Sequence, residues 1–374
     1  MGVYLNPGND SFRKMVNSDI YVDKTGLIDY TNKVINTMQQ YICVSRPRRF
    51  GKSMAAGMLA AYYSSACDSS ELFSKFEIAH CESFDRYLNK YNVISVNMQE
   101  FLSQCTCIDD MIKLLERSVL WELLDVYGEV RYFDNTNLAR SMQDIYMQKK
   151  CPFIVIIDEW DCIFREYKTD KAAQEKYLDF LRSFLKDKVY IHLAYMTGIL
   201  PIKKYGTHSA LNMFDEFSMI DPGPLAKYVG FTGEEVSELC GRYGMDMEEV
   251  KSWYDGYFFE PDISVYSPRS VVSCMRFGRI GNYWNQTETF EALKCYIDMN
   301  FSGLRDDILS MMAGEKAAVN TGSFTNDMST FRTEDDVLTL LIHLGYLGYD
   351  YENDQKEINV GFKMKKYFET RYFI

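Results

Sequence analysis

Long apolar runs are missing from this sequence: no segment approaches the ~20 apolar residues that a membrane-spanning helix needs. The N-terminal segment, MGVYLNPGNDSF, lacks the charged stretch and apolar core of a secretory signal. The ten cysteines lack the spacing of a metal site, since Cys105 and Cys107 form a close pair without a second Cys/His cluster. Together these absences predict reduced thiols, a cytoplasmic location and no membrane partner.

Positive charge is also in deficit. The chain has 41 Lys and Arg residues against 53 Asp and Glu residues, a formal net charge of −12. An acidic chain is a poor non-specific ligand for nucleic acid, which is left open only as the partner of a local basic patch. Hydrophobic residues, at 47%, and aromatic residues, at 15%, are abundant and favour packed cores. A length of 374 residues suggests two domains, or one large domain with an appendage.

Strand-like and helix-like segments alternate along the first part of the chain. Runs rich in β-branched residues predict strands at 40–45, 91–98, 151–161 and 189–198. Composition and apolar spacing predict helices after residue 52, at 108–126 and at 171–186. This alternation predicts an α/β fold with a doubly wound parallel sheet.

The composition changes after the Pro/Gly cluster DPGPL, at residues 221–225. We therefore predict an α/β domain over residues 1–221 and a mostly helical domain over 222–374, with a winged-helix edge left open. Helical stretches are predicted at 232–242, 246–253, 288–300 and 334–344, and a terminal hairpin at 345–362.

The segment SRPRRFGKS, residues 45–53, ends like a phosphate-binding loop but does not begin like one. Arg46 stands where the pattern G-x-x-x-x-G-K-[ST] has its first glycine. In such a loop, main-chain N–H groups and the following helix hold the phosphates, and Gly51 allows close approach. Lys52 would reach the β- and γ-phosphates of ATP, and Ser53 would coordinate Mg²⁺.

The remaining residues of the loop are unusual for a phosphate site. Pro47 has a fixed φ that suits the turn in place of the missing glycine, and Phe50 precedes Gly51. Arg46, Arg48 and Arg49 could contact phosphate, or could pair with acids such as Asp23. We predict that residues 46–53 bind the nucleotide and that at least one of the three arginines contacts it.

A second motif supplies the acids that nucleotide hydrolysis requires. The run FIVIIDEWD places Asp158 and Glu159 directly after a buried strand, about 105 residues beyond Ser53. Asp158 suits the Mg²⁺ site through water, and Glu159 suits the general base. Thr197 ends the next strand, where a polar side chain would sense the γ-phosphate. The alternatives are a strand that ends in a polar turn and a threonine without a role.

Six ordered motifs resemble the predicted AAA-type ATPase family of bacteria over nearly the whole chain. They are YVDKTGLI, SRPRRFGKS, IDEWD, YMTGILPIKKYG, WYDGY and YSPRSV. The resemblance implies a P-loop NTPase three-layer sandwich, ATP and Mg²⁺ as cofactors, and a loop in which Arg46 is the family's own variant. It also implies ring-forming relatives, so a homo-oligomer or a protein partner is left open.

Members of that family often carry a further domain that resembles PD-(D/E)XK nucleases, and this chain is expected to stop before it. Asp350, Asp354 and Lys356 superficially invite a nuclease interpretation, but the Asn-Asp pair between them marks a turn. We interpret the segment as a charged hairpin tip and expect no nuclease activity.

Other candidates have plainer interpretations. Lys203 and Lys204 could approach phosphate, but a solvated face is favoured. The aromatic residues Trp253, Tyr254 and Tyr257 could stack on adenine, but a packed core is favoured.

The leading hypothesis is a Mg²⁺-dependent ATPase whose turnover drives a conformational change. Its main alternative is a nucleotide-gated interaction or signalling module with negligible turnover. A small-molecule kinase and an ATPase that acts on nucleic acid are weaker alternatives, because no lid is evident and the net charge is acidic.

Overall fold

The computed structural model describes most of the chain. The described residues are 1–202, 211–259, 263–283, 301, 303–313, 315–324, 331–352 and 355–359. Cα proximity divides the chain into two compact units. The first unit comprises Met1–Val44, Lys52–Gly198 and Tyr205–Glu216, and the second comprises Ser45–Gly51, Ile199–Lys204 and Phe217–Ile374. Most of the predicted phosphate loop therefore groups with the C-terminal part of the chain, and the predicted boundary after residue 221 stays a prediction.

The first unit alternates helices with strands. Its helices are α1 (Asp10–Val16), α2 (Gly26–Val34), α3 (Lys52–Tyr63), α4 (Ser70–Phe73), α5 (Phe84–Tyr87), α6 (Met98–Leu102), α7 (Ile108–Val126), α8 (Leu138–Lys149), α9 (Cys162–Glu166) and α10 (Lys171–Leu185). Its strands are β1 (Tyr41–Ser45), β2 (Asn92–Asn97), β3 (Phe153–Asp158), β4 (Ile191–Gly198) and β5 (Asp215–Phe217). The predicted strands and helices of this region are confirmed, whereas α8 and β5 had no clear signal in the sequence.

The sheet of the first unit has the strand order β2-β3-β4-β1-β5. Strands β2, β3 and β4 run parallel, with Asn97 opposite Asp158 at the carboxyl ends of β2 and β3. Every residue of β3 is buried, which requires cover on both faces of the sheet. The predicted α/β sandwich is therefore confirmed, and β4 separates the loop strand β1 from the acid-bearing strand β3.

The second unit combines helices with a mixed sheet. Its helices are α11 (Gly233–Tyr243), α12 (Met247–Tyr254), α13 (Pro268–Phe277), α14 (Leu304–Met312) and α15 (Glu334–Leu344). Its strands are β6 (Phe231–Thr232), β7 (Asp255–Phe259), β8 (Ile263–Tyr266), β9 (Lys316–Ala318), β10 (Gly348–Glu352) and β11 (Gln355–Asn359), in the order β6-β8-β7-β10-β11-β9. Among the described residues helices outweigh strands, as predicted, but the six-stranded sheet was not foreseen.

The predicted terminal hairpin is confirmed by the antiparallel pairing of β10 with β11. Asp350 lies on β10, where its carboxylate accepts from Lys316 Nζ at 2.7 Å. The residues of the turn, Asn353 and Asp354, lie outside the described ranges, as does the predicted helix at 288–300. A hairpin strand with a surface ion pair agrees with the charged-hairpin interpretation of this segment.

Local capping explains where helix α11 begins and ends. Thr232 and Glu235 form a reciprocal capping box at the start of α11, with the Thr232 N–H donating to Glu235 Oε2 at 2.7 Å. The helix ends at Gly244, whose φ of 68° is the left-handed conformation that glycine adopts without strain. Within the described ranges, no helix is long and apolar enough to cross a membrane.

The N-terminal segment is fixed to the first unit by one buried acid. The Glu122 carboxylate, on α7, accepts from the main-chain N–H groups of Val3, Tyr4 and Leu5 at 2.9, 3.0 and 2.7 Å. Leu5 in turn forms an isolated antiparallel bridge with Ile94 of β2. The carboxylate therefore satisfies three donors that would otherwise lack an acceptor.

We predict that Glu122→Gln lowers the free energy of unfolding by about 1–3 kcal/mol, because the new NH₂ group faces backbone donors. Urea unfolding followed by circular dichroism measures the change. The matched control is Asp125→Asn on the exposed face of the same helix, which should stay within about 0.5 kcal/mol of the parent chain. Equal effects of the two substitutions would contradict the role given to Glu122.

Candidate functional site

The carboxyl ends of three parallel strands bring polar side chains together in the first unit. Asp158, at the end of β3, is 8% exposed. Its Oδ1 accepts from the Thr197 hydroxyl and from the Glu159 N–H, and its Oδ2 accepts from Asn97 Nδ2 at 3.4 Å. The structure thus brings two predicted site residues, Asp158 and Thr197, into direct contact. It adds Asn97, which the sequence analysis did not single out.

Glu159 has an unusual backbone conformation. Its φ is 55°, in the left-handed region that residues with a Cβ rarely adopt. Its Oε2 accepts from Arg165 Nη2, and Arg165 Nε lies 3.3 Å from Asp161 Oδ2. The predicted general base is therefore one end of a short chain of charges that runs from the turn after β3 to α9. The sequence offered one signal for the ion pair between Asp161 and Arg165. The two residues are four positions apart, the spacing of ion pairs on a helix.

Lys52, the first residue of α3, is only 4% exposed. Burial lowers the pKa of its ammonium group. The nearby carboxylates, first Glu159 and then Asp161 and Asp158, act in the opposite direction and favour the charged form. The next residue, Ser53, is exposed. The first unit therefore carries a nearly buried cation in the electrostatic neighbourhood of the predicted metal ligand and general base.

The same carboxylates respond to their cations. Burial raises the pKa of Glu159, while the positive charges of Lys52 and Arg165 hold it down. Burial acts to lower the pKa of Arg165, but the carboxylates of Asp161 and Glu159 outweigh it and raise that pKa above its ordinary value. Charge pairing thus opposes the effect of burial on the pKa of each of these groups.

Gly198 makes room for this cluster. A Cβ at Gly198 would lie 2.6 Å from Trp160 Cδ1 and 2.8 Å from Asp161 Oδ1. Trp160 is fully buried, and its main-chain N–H donates to the Thr197 carbonyl at 3.0 Å. The absence of a side chain at the end of β4 therefore allows the turn after β3 to pack closely on that strand.

In the second unit, Arg46 occupies the position of the missing glycine with a fully buried side chain. Its Nη1 donates to the carbonyl oxygens of Ser45, Phe217 and Ser218, each at 2.9 Å. Ser45 adds a bond from its hydroxyl to the Leu200 carbonyl at 3.1 Å. The guanidinium thus ties the start of the loop to the backbone at 217–218.

The rest of the loop is shaped by its own backbone. Pro47 is buried, and the chain turns at Arg48 and Arg49, whose side chains are both exposed. Arg49 and Gly51 have φ values of 68° and 93°, and among the described residues, apart from its two chain neighbours, none has an atom within 4 Å of a Cβ built on Gly51. The three arginines therefore differ, since Arg46 faces main-chain oxygens while Arg48 and Arg49 face outward.

Phe50 fixes the loop from its apolar side. It is 1% exposed, and its ring meets Tyr257 of the WYDGY motif edge to face, at 5.8 Å and 78°. The Tyr254 hydroxyl donates to the Gly281 carbonyl at 2.8 Å, and both tyrosines are buried. The packed-core interpretation is confirmed for these two aromatics. Lys203 and Lys204 lie outside the described ranges.

The parallel sheet, the loop before α3, and the acid and threonine at neighbouring strand ends agree with the layout of a P-loop protein. Residues 7–207 match the model of a family described as "Predicted AAA-ATPase". The chain belongs to this family, which places it among the nucleotide-binding ATPases of the P-loop class.

Individual relatives are more distant. The chain is 23% identical over 295 residues to an "Uncharacterized protein in vnfD 5'region" of Azotobacter chroococcum mcd 1, an alignment that covers 75% of this chain and 54% of that protein. The chain thus spans about half the length of this curated relative. Among solved structures, it is similar to the Walker-type ATPase PABY2304 of Pyrococcus abyssi, with a TM-score of 0.42, 14% identity, and 91% and 93% of the two chains covered. It is also similar to the ORC2 protein of Aeropyrum pernix, with a TM-score of 0.37, 11% identity and 99% of each chain covered. Similarities this loose do not bear on function.

We predict that Arg46→Met destabilises the chain by about 2–4 kcal/mol, because three buried carbonyl oxygens lose a charged donor. Arg46→Lys should recover part of the loss, because an ammonium group also offers three N–H donors from one nitrogen, although at the end of a shorter side chain. Differential scanning calorimetry measures the change. Arg48→Met, which alters an exposed side chain of the same loop, is the control. The prediction is wrong if the two methionine variants melt alike.

Buried His343 predicts a pH dependence of stability. Its side chain, on α15, is fully buried, and burial together with the Arg46 charge lowers its pKa to about 3. An unfolded histidine takes up a proton below about pH 6.5. Stability is therefore present above that pH and is lost as the pH falls toward 3, by up to about 1.4 kcal/mol per pH unit.

Replacing this histidine by a neutral residue should flatten that slope. Urea midpoints of the parent chain and of His343→Gln, measured between pH 7 and pH 4.5, test the prediction. His80→Gln is the control, because its imidazole lies near the surface on a short 3₁₀ turn. A slope that is the same in the parent chain and in His343→Gln would show that His343 does not carry the effect.

Proposed function

We propose that the chain binds ATP with Mg²⁺ on residues 46–53 and hydrolyses it to drive a conformational change. The observation that carries this proposal is the nearly buried Lys52 ammonium beside the carboxylates at the end of β3. A cation held at the first residue of a helix, next to a metal-binding acid and a general base, suits stabilisation of phosphoryl charge.

The oxygen donors of the first unit fit Mg²⁺. This ion prefers hard oxygen ligands and usually takes one or two carboxylates, water and substrate phosphates. Asp158 supplies a carboxylate oriented by Thr197 and Asn97, and Ser53 supplies an exposed hydroxyl. Within the described part of the chain, no group of three or more His, Cys, Asp or Glu is arranged to hold a metal by itself. Mg²⁺, when bound with the nucleotide, would neutralise charge on the β- and γ-phosphates.

The loop residues then divide the work. Gly51 lets the backbone approach the phosphates, and Lys52 balances their charge. Arg48 and Arg49 are exposed and available for phosphate or ribose. The buried residues Arg46, Pro47 and Phe50 set the shape of the loop from behind, and their main-chain groups remain part of the nucleotide site.

Glu159 acts as the general base and Thr197 as the reporter of the γ-phosphate. The Glu159 carboxylate would orient and deprotonate the attacking water. The Thr197 hydroxyl donates to Asp158. A shift of either side chain would therefore displace the other, at the end of the neighbouring strand. A homo-oligomer, a protein partner, a local nucleic-acid contact and a cytoplasmic location stay predictions.

A second candidate is a nucleotide-gated module with negligible turnover. The observation that favours it is the ion pair between Glu159 and Arg165, which occupies one oxygen of the proposed base. Tight ATP binding with neither a burst of phosphate nor steady turnover would support this alternative.

Phosphate release from the purified chain with ATP and Mg²⁺ tests the proposal. Lys52→Ala should lose both nucleotide binding and turnover. Glu159→Gln should keep binding and lose about 10²–10⁴-fold in turnover, the usual contribution of a general base. Lys113→Ala and Glu166→Gln, both at exposed positions, are the matched controls. Turnover that is unchanged in Lys52→Ala or in Glu159→Gln would overturn the assignment.

A further inference from the structure

Arg165 is a charged residue that contacts two acids of the proposed site. It lies on α9, one turn after the acidic end of β3, with a side chain only 13% exposed. Its Nη2 donates to Glu159 Oε2, and its Nε lies 3.3 Å from Asp161 Oδ2. One guanidinium therefore joins the proposed general base to a second acid.

That second acid holds the guanidinium in place. Asp161 is fully buried and precedes the first residue of α9, and its Oδ1 lies where a side chain at Gly198 would intrude. Because the guanidinium is planar and rigid, an ion pair at its Nε narrows the directions in which its Nη2 can point. Arg165 is thus anchored on its helix side and presents its outer nitrogen to Glu159.

Glu159 needs such a support. Its carboxylate is 22% exposed on a side chain with three rotatable bonds, and its backbone lies in the left-handed region. A general base works only when it is held close to the productive geometry, and misplacement by about 1 Å can lower a rate by about 10²-fold. The neighbouring Asp158 is already oriented by Thr197 and Asn97, whereas Glu159 is oriented by Arg165.

We propose that Arg165 is a positioning residue that orients the Glu159 carboxylate for attack by water, and that Asp161 holds Arg165 in place. The proposal rests on ATP hydrolysis as the function of the site. In this proposal Asp161, the last acid of IDEWD, supports Arg165 and does not bind the metal. Helix α9 contributes to hydrolysis by carrying Arg165.

Turnover and nucleotide affinity of three variants test the role of Arg165. Arg165→Met should lower kcat by at least about tenfold while the Kd of a fluorescent ATP analogue changes by less than about twofold. Arg165→Lys should recover part of kcat, because it keeps a donor and a positive charge. In a Glu159→Gln background, Arg165→Met should cause no further loss of turnover. Arg182→Met, on α10, is the control.

A second measurement does not depend on hydrolysis. Urea midpoints of the nucleotide-free parent chain, Glu159→Gln, Arg165→Met and the double variant should be non-additive, because both single substitutions break the same ion pair. Additive midpoint shifts would overturn the proposal. So would an Arg165→Met variant whose kcat equals or exceeds that of the parent chain, since a rise would mean that Arg165 restrains the base.

Failure of the proposed function is distinguishable from failure of this inference. A parent chain that binds ATP without turnover overturns the hydrolytic function, and with it the catalytic half of the inference, while the urea cycle still decides whether Arg165 fixes Glu159. A parent chain that hydrolyses ATP, together with an unaffected Arg165→Met variant, overturns only the inference.

Discussion

The hydrogen bonds of the Arg46 guanidinium hold the start of the phosphate loop in place. A fully buried positive charge is tolerated only when its donors find acceptors, and Nη1 meets three main-chain oxygens. Two of those oxygens belong to residues 217 and 218, so the position that normally carries a flexible glycine carries an anchor instead. The Arg46 side chain restrains this loop at the position where a glycine would give the backbone conformational freedom. Gly51 has a positive φ and open space at its Cβ position, the geometry that close approach to phosphate would need.

In the first unit, a partly buried cluster contains charges of opposite sign that stabilise one another. Three acids lie within four residues at the end of β3, and the pKa shifts of Glu159, Lys52 and Arg165 show burial and charge pairing acting in opposite directions. Removing either cation leaves acids that repel one another in a poorly solvated place. The cluster is therefore organised before any nucleotide arrives, which is the condition under which electrostatic stabilisation of a transition state is most effective.

The sequence predicts local elements and strand ends well and distant pairings poorly. Helices α7 and α15 begin and end where the apolar pattern of the sequence indicates. The contact of Asp158 with Thr197 was also within reach, because parallel strands end at one edge of a sheet. The partners of Arg46 were not, since Phe217 and Ser218 lie 171 and 172 residues away and offer main-chain oxygens that every residue has. The six-stranded sheet escaped for the same reason, as β7 pairs with β10 about ninety positions later. Arg165 was missed because a five-residue helix gives no periodic pattern to support its local signal, the four-residue spacing from Asp161.

The anchoring of Arg46 also constrains the order in which the chain can be completed during synthesis. The part of the chain that matches the family model, residues 7–207, includes Arg46 but neither Phe217 nor Ser218. A nascent chain, or a fragment cut at the end of that span, would carry an arginine that has its Ser45 acceptor but lacks the other two. The loop of this protein therefore matures only after roughly 170 further residues have been added. A nucleotide-binding module excised at its apparent borders would lack the backbone that shapes its own phosphate loop.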